Sequence, residues 1–315
     1  MNMDRCSRWT VIVNPHAGSG RTLPIWRKAK SLLEQRGVDF EELFTRGERD
    51  AQTLVCEAAG KGSRRFLAVG GDGTAHEVLE GIVSAVQQKG GGCLSDYTLG
   101  VIPIGSGNDW VKGHHIPRKL EKLVALIAAE RFGTQDVVKV TAAEGESYML
   151  NVGGIGFDAM VCQRVNEHKK RGKSGKLLYV NALFYQIFHY KPAPVRVLAD
   201  GKEVFSGPFY SIAFAIGPYC GGGMRQCPAA VFDDGLLEMT LVPRLPLWKL
   251  LPKMPRLFDG TVQKAGDLLF ERARSYEVSV LEGPQEIIEA DGEIVGHTAL
   301  RLEVLPERLN VLSNL

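Results

Sequence analysis

The stretch Phe66-Leu67-Ala68-Val69-Gly70-Gly71-Asp72-Gly73-Thr74 decides the fold of this chain. Its four leading apolar residues predict a buried strand, and the amphipathic pattern of residues 75–86 predicts a helix directly after it. The glycines between them allow a sharp turn that brings backbone amides close to phosphate oxygens, next to the positive end of the helix. A carboxylate such as Asp72 repels phosphate unless a cation or a hydroxyl lies between them, so the turn is typical of metal-assisted phosphoryl transfer.

Strand and helix patterns alternate through the first part of the chain, as they do in parallel α/β folds. The predicted strands are residues 9–13, 40–45, 66–69, 98–103 and 137–141, and the predicted helices are residues 24–35, 51–60, 75–88 and 120–129. We therefore predict an amino-terminal α/β domain over residues 1–141.

The pattern changes after residue 141, where strand-like segments follow one another with fewer helices between them. The predicted strands are residues 148–152, 195–198, 210–216, 236–242, 276–281, 286–290 and 299–304, and the predicted helices are residues 159–167, 175–189 and 247–258. This indicates a second domain over residues 142–315 that is β-rich and sandwich-like. A return of the last residues to the first domain is left open.

Two more glycine-containing turns follow predicted strands of the first domain. One is Asn14-Pro15-His16-Ala17-Gly18-Ser19-Gly20, and the other is Pro103-Ile104-Gly105-Ser106-Gly107-Asn108-Asp109. The first of them alone is also compatible with an ordinary strand-to-helix turn, because Asn, Pro and Gly are common turn formers. Three such turns at the carboxyl edge of one sheet favour a ligand site, since ligands of open α/β sheets bind there.

The second domain places acids beside glycines at three positions. These are Gly156-Phe157-Asp158, Asp233-Asp234-Gly235 and Asp291-Gly292-Glu293. The last two are also typical of hairpin turns, because Asp-Gly is a strong turn signal. Alternatively, a cleft that handles a nucleotide triphosphate uses such carboxylates to hold cations and to accept the proton of an attacking hydroxyl.

Taken in order, these motifs resemble those of the diacylglycerol kinase catalytic-domain family of bacterial lipid kinases, from about Trp9 to Leu312. The resemblance implies an α/β nucleotide-binding domain of the NAD kinase and diacylglycerol kinase type, a β-rich lipid domain, and ATP bound between them. It implies an ATP site formed by Asn14, Pro15, His16, Ala17, Gly18, Thr45, Gly70, Gly71, Asp72, Gly73, Thr74, Ala75, His76 and Ser106.

The same resemblance implies a proton acceptor and a magnesium site. Glu293 is expected to take the proton of the lipid hydroxyl, and Asp72 is the alternative. A structural Mg²⁺ is expected on the carboxylate of Asp234 and the carbonyls of Val231 and Leu236. A wider acidic and water network would include Asp72, Asp109, Asp158 and Asp291. A second Mg²⁺ would arrive with ATP.

Two positions depart from the pattern of that family. It often has Asn after the Gly-Asp-Gly-Thr segment, where this chain has Ala75-His76-Glu77, so one polar contact is lost. It often has Thr where this chain has Ser106, which keeps the hydroxyl. Because the acids are intact, we expect activity to survive both changes.

We therefore expect an ATP-dependent lipid kinase that transfers the γ-phosphate to a hydroxyl of diacylglycerol or a related lipid. A soluble-substrate kinase of the NAD kinase type is the first alternative, and the motif Gly221-Gly222-Gly223-Met224 argues against it. A nucleotide-binding regulatory module without catalysis is the second. The sequence leaves open which lipid is the substrate.

Composition bears on partners and location. A net charge of +2 over 315 residues does not favour nucleic acid. The six cysteines form no CxxC pair and no apolar leader begins the chain, so we expect a cytoplasmic protein. Because a kinase that acts on a membrane lipid must touch the bilayer, we also expect it to be peripheral to the inner face of the membrane. Two surfaces are candidates for that contact: the basic cluster between Lys169 and Lys176, and residues 245–258 as an interfacial helix. The apolar residues of the second more often indicate core.

Two further points concern histidines and assembly. The seven histidines show no zinc-ligand spacing, and His114-His115 is predicted to lie in a polar loop. The oligomeric state is left open, with a homodimer among the alternatives.

Overall fold

The computed structural model describes residues 7–105, 107–170, 190 and 193–315. The chain forms two compact units. The first runs to Val137 and takes in Pro306–Leu315, and the second is Val138–Leu305. The predicted helix over residues 175–189, Ser106, and most of the basic cluster after Lys169 lie outside the described residues.

The first unit is built on a six-stranded sheet, and its strands are β1 (Trp9–Val13), β2 (Phe40–Phe44), β3 (Arg65–Gly70), β4 (Thr98–Pro103), β5 (Phe132–Gln135) and β17 (Leu309–Leu312). The spatial order is β2-β1-β3-β4-β17-β5, and every neighbouring pair is parallel except β17 with β5. The central strands β1 and β3 are almost entirely buried, as the continuous apolar runs of a parallel sheet predict.

The helices of this unit are α1 (Thr22–Gln35), α2 (Asp50–Gly60), α3 (Asp72–Gln87), α4 (Asp109–Gly113) and α5 (Leu120–Ala128). Helix α3 begins three residues before the predicted start at residue 75. Gly71 is extended, with φ −103° and ψ −168°, and its carbonyl accepts the amides of Thr74 at 3.0 Å and Ala75 at 3.1 Å. Asp72 therefore belongs to the first turn of the helix.

The second unit is an antiparallel β structure, and its strands are β6 (Val138–Ala142), β7 (Gly145–Met149), β8 (Val152–Gly156), β9 (Pro194–Ala199), β10 (Lys202–Ala215), β11 (Leu237–Pro243), β12 (Leu269–Ala273), β13 (Ser275–Val280), β14 (Ile287–Ala290), β15 (Glu293–His297) and β16 (Leu300–Val304). The long strand β10 pairs with β9 through its first half, and with β8 and β11 through its second half. Apolar side chains from all three partners meet in one core, as expected for a sandwich-like fold.

Two predictions for this unit are wrong. Residues 148–152 are not one strand, because the chain breaks between β7 and β8, where the amides of Leu150 and Asn151 donate to Asp291. Residues 247–258 are not one helix either. They form the short helices α7 (Leu247–Leu250) and α8 (Arg256–Asp259) around a 3₁₀ turn, because Pro252 and Pro255 interrupt the hydrogen-bond ladder. Helix α6 (Phe157–Lys170) covers the predicted helix at residues 159–167.

His114 and His115 lie in a turn after α4, as predicted, but the surroundings of His114 are not those of a polar loop. Its imidazole is buried, with Nε2 2.7 Å from Gln135 Oε1 and the ring centroid 4.5 Å from that of Trp110. The neighbouring His115 is exposed. Within the part of the chain that the structure describes, no helix has the length and apolar character needed to cross a bilayer.

Candidate functional site

Three loops meet at the carboxyl edge of the parallel sheet in the first unit. The loop after β1 is tied to β3 by the Asn14 amide, which donates to Val69 O at 3.1 Å. The loop after β4 is tied to β3 by the Ile104 amide, which donates to Gly70 O at 2.7 Å. The glycine-containing turns of the sequence therefore lie side by side.

Glycine is required where these loops touch. A Cβ on Gly105 would lie 2.9 Å from Gly71 Cα, and a Cβ on Gly71 would lie 3.3 Å from Gly105 Cα. Gly18 has φ +59°, and a Cβ there would lie 2.7 Å from Ile104 O. The loops are thus packed backbone against backbone, which leaves their amides rather than side chains to line the edge.

Polar side chains at this edge have defined partners. Asn14 Nδ2 donates to Thr74 Oγ1 at 3.1 Å, and Asn14 Oδ1 accepts the His16 amide at 3.0 Å. Thr45 follows β2, and its buried hydroxyl has no hydrogen-bond partner among the described residues. An unpaired buried hydroxyl is costly, so Thr45 is a candidate ligand contact.

Asp72 and Asp109 face the same glycine. A Cβ on Gly107 would lie 3.1 Å from Asp72 Oδ2 and 3.3 Å from Asp109 Oδ2. Asp72 Oδ2 accepts the amide of Asn108 at 3.0 Å, and the Asn108 side chain donates to Gly105 O at 2.7 Å. The sequence analysis did not identify Asn108 as a site residue. Its backbone has a left-handed φ of +54°, a conformation that Asn tolerates.

Ala75, His76 and Glu77 follow the glycine turn, where the family that the sequence resembles often has Asn. The side chains of Ala75 and His76 are buried, and His76 Nε2 lies 3.8 Å from Glu80 Oε1 along the helix. Glu77 Oε2 accepts the Ala51 amide at the start of α2 at 3.3 Å, and burial raises the pKa of this carboxyl. These side chains thus have structural partners, and a phosphate contact from this turn is left to the backbone.

The second unit gathers four acids around β14, β15 and the start of α6. Asp291 connects the two strands of the hairpin and accepts the amides of Leu150 at 2.7 Å and Asn151 at 2.9 Å, so both its carboxylate oxygens hold the backbone. Asp158 Oδ2 accepts the hydroxyl of Ser211 and the amide of Gln226, the latter at 2.9 Å. Burial raises the pKa of the Asp158 carboxyl.

Glu289 is the acid that the sequence analysis missed. Burial raises the pKa of the Glu289 carboxyl to about 8, and the negative charges of Asp291, Asp158 and Glu293 raise it in the same direction. The Gly292 amide, which donates to Glu289 Oε2 at 3.0 Å, lowers this pKa. At neutral pH the Glu289 carboxyl is therefore largely protonated. Glu293 is exposed at the first position of β15, four residues further on. The signal for Glu289 was a charged residue at the end of a predicted strand, beside the Asp-Gly turn.

Asp234, Val231 and Leu236 share one turn before β11. Carboxylate and carbonyl oxygens are suitable ligands for magnesium. However, Asp234 Oδ1 accepts the Leu236 amide at 3.0 Å, and Asp234 Oδ2 forms an ion pair with Arg272. A cation could reach this carboxylate only if the pair with Arg272 opened. The turn as it stands does not fit a bound magnesium ion, and no step below depends on it.

Comparison with known proteins bears on both units. The diacylglycerol kinase catalytic domain matches residues 8–140, and the YegS C-terminal NAD kinase beta sandwich-like domain matches residues 151–313. The chain belongs to this family of diacylglycerol and YegS-like lipid kinases. The α/β domain followed by a β-sandwich-like domain, predicted from the sequence, is thereby confirmed.

Known relatives match this chain over nearly its full length. A diacylglycerol kinase of Mycobacterium tuberculosis (strain CDC 1551 / Oshkosh) is 29% identical over 305 residues, which are 96% of this chain and 94% of the relative. A probable lipid kinase YegS-like of Xanthomonas euvesicatoria pv. vesicatoria is 29% identical over 306 residues, with 97% and 96% covered. The crystal structure of a putative diacylglycerol kinase from Bacillus anthracis str. Sterne aligns with this chain with a TM-score of 0.79 and 24% sequence identity. The alignment covers 98% of this chain and 95% of that chain, and it supports the fold alone.

Proposed function

We propose that this protein is an ATP-dependent lipid kinase that transfers the γ-phosphate of ATP to a hydroxyl of diacylglycerol or a related lipid. One observation carries the proposal: glycine loops packed backbone to backbone at the carboxyl edge of a parallel sheet, with Asp72 in the first turn of α3. Family membership and the name of the M. tuberculosis relative support the substrate class.

The phosphates of ATP are bound by backbone amides of the turns at residues 14–18 and 70–74. The first turn of α3 adds amides that have no partner inside the helix and the positive end of the helix dipole. Asn14 orients the Thr74 hydroxyl through their hydrogen bond of 3.1 Å. The buried Thr45 hydroxyl gains the partner that it lacks among the described residues. These contacts orient the nucleotide and offset its charge.

Magnesium bound with ATP supplies charge neutralisation at the transferred phosphoryl group. Asp72 and Asp109 face Gly107 and offer carboxylate oxygens, the ligands that a hydrated magnesium ion prefers. The Asn108 amide holds Asp72 Oδ2 at 3.0 Å, so this carboxylate keeps one orientation.

The proton of the lipid hydroxyl is taken by Glu293. This carboxylate is exposed, whereas its neighbour Glu289 is held protonated by burial and Asp291 is engaged by two backbone amides. Its exposure supports Glu293 over these two neighbours as the proton acceptor. A carboxylate within hydrogen-bond reach of the hydroxyl accelerates transfer by about 10²- to 10⁴-fold.

Amide substitutions test this assignment. We expect Glu293→Gln and Asp72→Asn each to lower kcat for transfer from radiolabelled ATP to diacylglycerol by about 10²-fold or more. The exposed Glu282→Gln is the matched control and should keep full activity. Turnover retained in Glu293→Gln would assign the proton to Asp72 instead. The proposal itself fails if the wild type labels no lipid hydroxyl, or if it labels NAD and not lipid.

A further inference from the structure

A segment of the second unit is apolar on two opposite sides. Residues 247–258, here called the strap, comprise α7, the 3₁₀ turn and α8. The side chains of Leu247, Leu250, Met254 and Leu257 line a cavity beneath the strap. On the outside, Trp248 is 71% exposed and Phe258 is 63% exposed, and Leu251 contributes to the cavity while remaining 48% exposed.

The cavity beneath the strap has the character of a chain-binding pocket. Its enclosed volume is about 90 Å³, and the cavity is open on one side. Phe157, Tyr210, Met224, Val242 and Leu268 form much of the remaining wall. Asp158 is the acid on that wall, where it is hydrogen-bonded to Ser211 and Gln226. An apolar body with one polar end therefore fits this space.

The outer face of the strap carries cations beside its aromatic side chains. Residues 247–268 contain four basic residues against the two acids Asp259 and Asp267: Lys249, Lys253, Arg256 and Lys264. Of these, Lys253 lines the cavity, and its ammonium donates to Ala265 O and Gly266 O. Lys249 Nζ lies 5.6 Å from the Trp248 ring centroid, and both Lys249 and Lys253 lie within 4 Å of Asp267, at 3.9 Å and 3.3 Å. Exposed Trp and Phe flanked by Lys and Arg are typical of segments that lie in the interface of an anionic bilayer.

Core packing does not account for the outer side chains. Two large aromatic residues on one short segment remain mostly in water, while the prolines at 252 and 255 prevent the single helix that could bury one face. The inner and outer faces are joined at Leu251, which belongs to both. This continuity connects the outside of the strap with the interior of the cavity.

We propose that the strap inserts Trp248 and Phe258 into an anionic bilayer and admits one acyl chain of a membrane lipid to the cavity beneath it. The acyl chain packs against Leu250, Met254 and Leu257, and its polar end is directed toward Asp158. The acyl-chain part rests on the proposed lipid kinase function, whereas the insertion of the strap does not.

Trp248 provides a direct test of insertion. The chain has four tryptophans, and Trp9, Trp26 and Trp110 are each only 2% exposed. Vesicles of phosphatidylglycerol and phosphatidylcholine with dibrominated acyl chains should quench the emission of the bound wild type more than unbrominated vesicles do. The difference should vanish in Trp248→Phe, which keeps an aromatic anchor. Equal emission in both kinds of vesicle with the protein bound would overturn the insertion.

Binding strength gives a second readout. Because an anchoring side chain leaves water for the apolar interface, Trp248→Ser should weaken sedimentation with anionic vesicles by roughly tenfold or more, which is about 1.4 kcal/mol. The matched control is Trp110→Phe, since Trp110 lies in the core of the first unit. If Trp248→Ser instead changed the oligomeric state in the absence of vesicles and left vesicle binding intact, the surface would belong to a second copy of the chain and the proposal would fail.

A filled cavity tests the acyl-chain part. Leu250→Trp should raise the KM for a long-chain diacylglycerol by about tenfold or more while leaving transfer to water-soluble dioctanoylglycerol within about twofold, because the shorter chain reaches less deeply. Thermal unfolding would verify that the variant is folded, and Leu250→Phe is the smaller filling substitution if it is not. Equal effects on both substrates would overturn the pocket. If the wild type phosphorylated neither substrate, the proposed function would fail, and the quenching result would still decide the strap.

Discussion

Single residues of this protein show how burial determines protonation. His114 is 1% exposed, and burial lowers its pKa from 6.5 to about 4, although the hydrogen bond to Gln135 acts in the opposite direction. The neutral imidazole is therefore a core residue at pH 7, held between Gln135 and the ring of Trp110. Glu289 is the opposite case, because burial of a carboxyl raises its pKa and keeps it neutral.

The buried histidine should make stability depend on pH. Below pH 6.5 the unfolded chain takes up a proton at His114 that the folded chain refuses until about pH 4, so the free energy of unfolding falls as the pH drops through this window. Between pH 7 and pH 5 we expect a loss of about 2 kcal/mol from this residue. Urea unfolding of the wild type and of a His114 variant at the two pH values measures it as a difference, because the raised pKa of Glu289 gives stability the opposite pH dependence in the same window.

Two variants isolate the contribution of this histidine. His114→Gln should lose stability at pH 7. On going from pH 7 to pH 5, the wild type should lose about 2 kcal/mol of stability relative to this variant. His115→Asn is the matched control, since His115 is exposed with φ +52°, which Asn tolerates. Identical pH dependence in the wild type and His114→Gln would contradict the prediction.

At the scale of elements, the candidate ATP-binding edge depends on contact between two loops. The turn before α3 and the turn after β4 meet at Gly71 and Gly105, where there is no room for a side chain. The same contact places Asn108 at Asp72, because Asn108 lies three residues after Gly105. The position of the acid and the spacing of the loops are therefore coupled.

A methyl group at this contact should separate the loops. We expect Gly105→Ala to destabilise the protein by about 1–3 kcal/mol and to weaken ATP binding by roughly tenfold or more. Calorimetric titration with ATP and thermal unfolding measure the two effects. Gly60→Ala is the control, because a Cβ there meets nothing within 4 Å at the end of α2. Unchanged ATP affinity in Gly105→Ala would show that the loop contact does not shape the nucleotide site.

At the scale of the whole molecule, the chain leaves the first unit at Val137 and returns to it at Pro306. Strand β17 then lies between β4 and β5, parallel to the first and antiparallel to the second. Its apolar side chains Leu309, Val311 and Leu312 are fully buried. The sheet that carries the candidate ATP site is thus completed by the carboxyl end of the sequence.

Stability of the first unit should therefore depend on residues far away in the sequence. Leu312→Ala removes a side chain that packs over Gly100 of β4, and we expect a loss of about 2–5 kcal/mol. Leu315→Ala, three residues later and 76% exposed, should be neutral. Thermal unfolding with and without ATP measures both. A similar melting temperature for the two variants would mean that β17 does not support the sheet.

The sequence by itself determined the family, the fold class and the elements with strong local signals. Strands β1 and β4 begin and end where they were predicted, because their continuous apolar runs end at turn residues. The roles of Asp72, Glu293 and the ATP-site residues stay predictions of the sequence that the proposed variants test.

Only the tertiary structure decided which local signals were overridden and by what. Asp291 was predicted as a network acid, yet it holds the break between β7 and β8 through two amides more than 100 residues away in the chain. The tertiary structure was also needed to explain the burial of His114, the protonation of Glu289 and the strand pairing of β17, because each depends on distant partners. The periodicity of a sequence reports the local face of an element, whereas burial, pKa and strand pairing depend on contacts between residues that are remote along the chain.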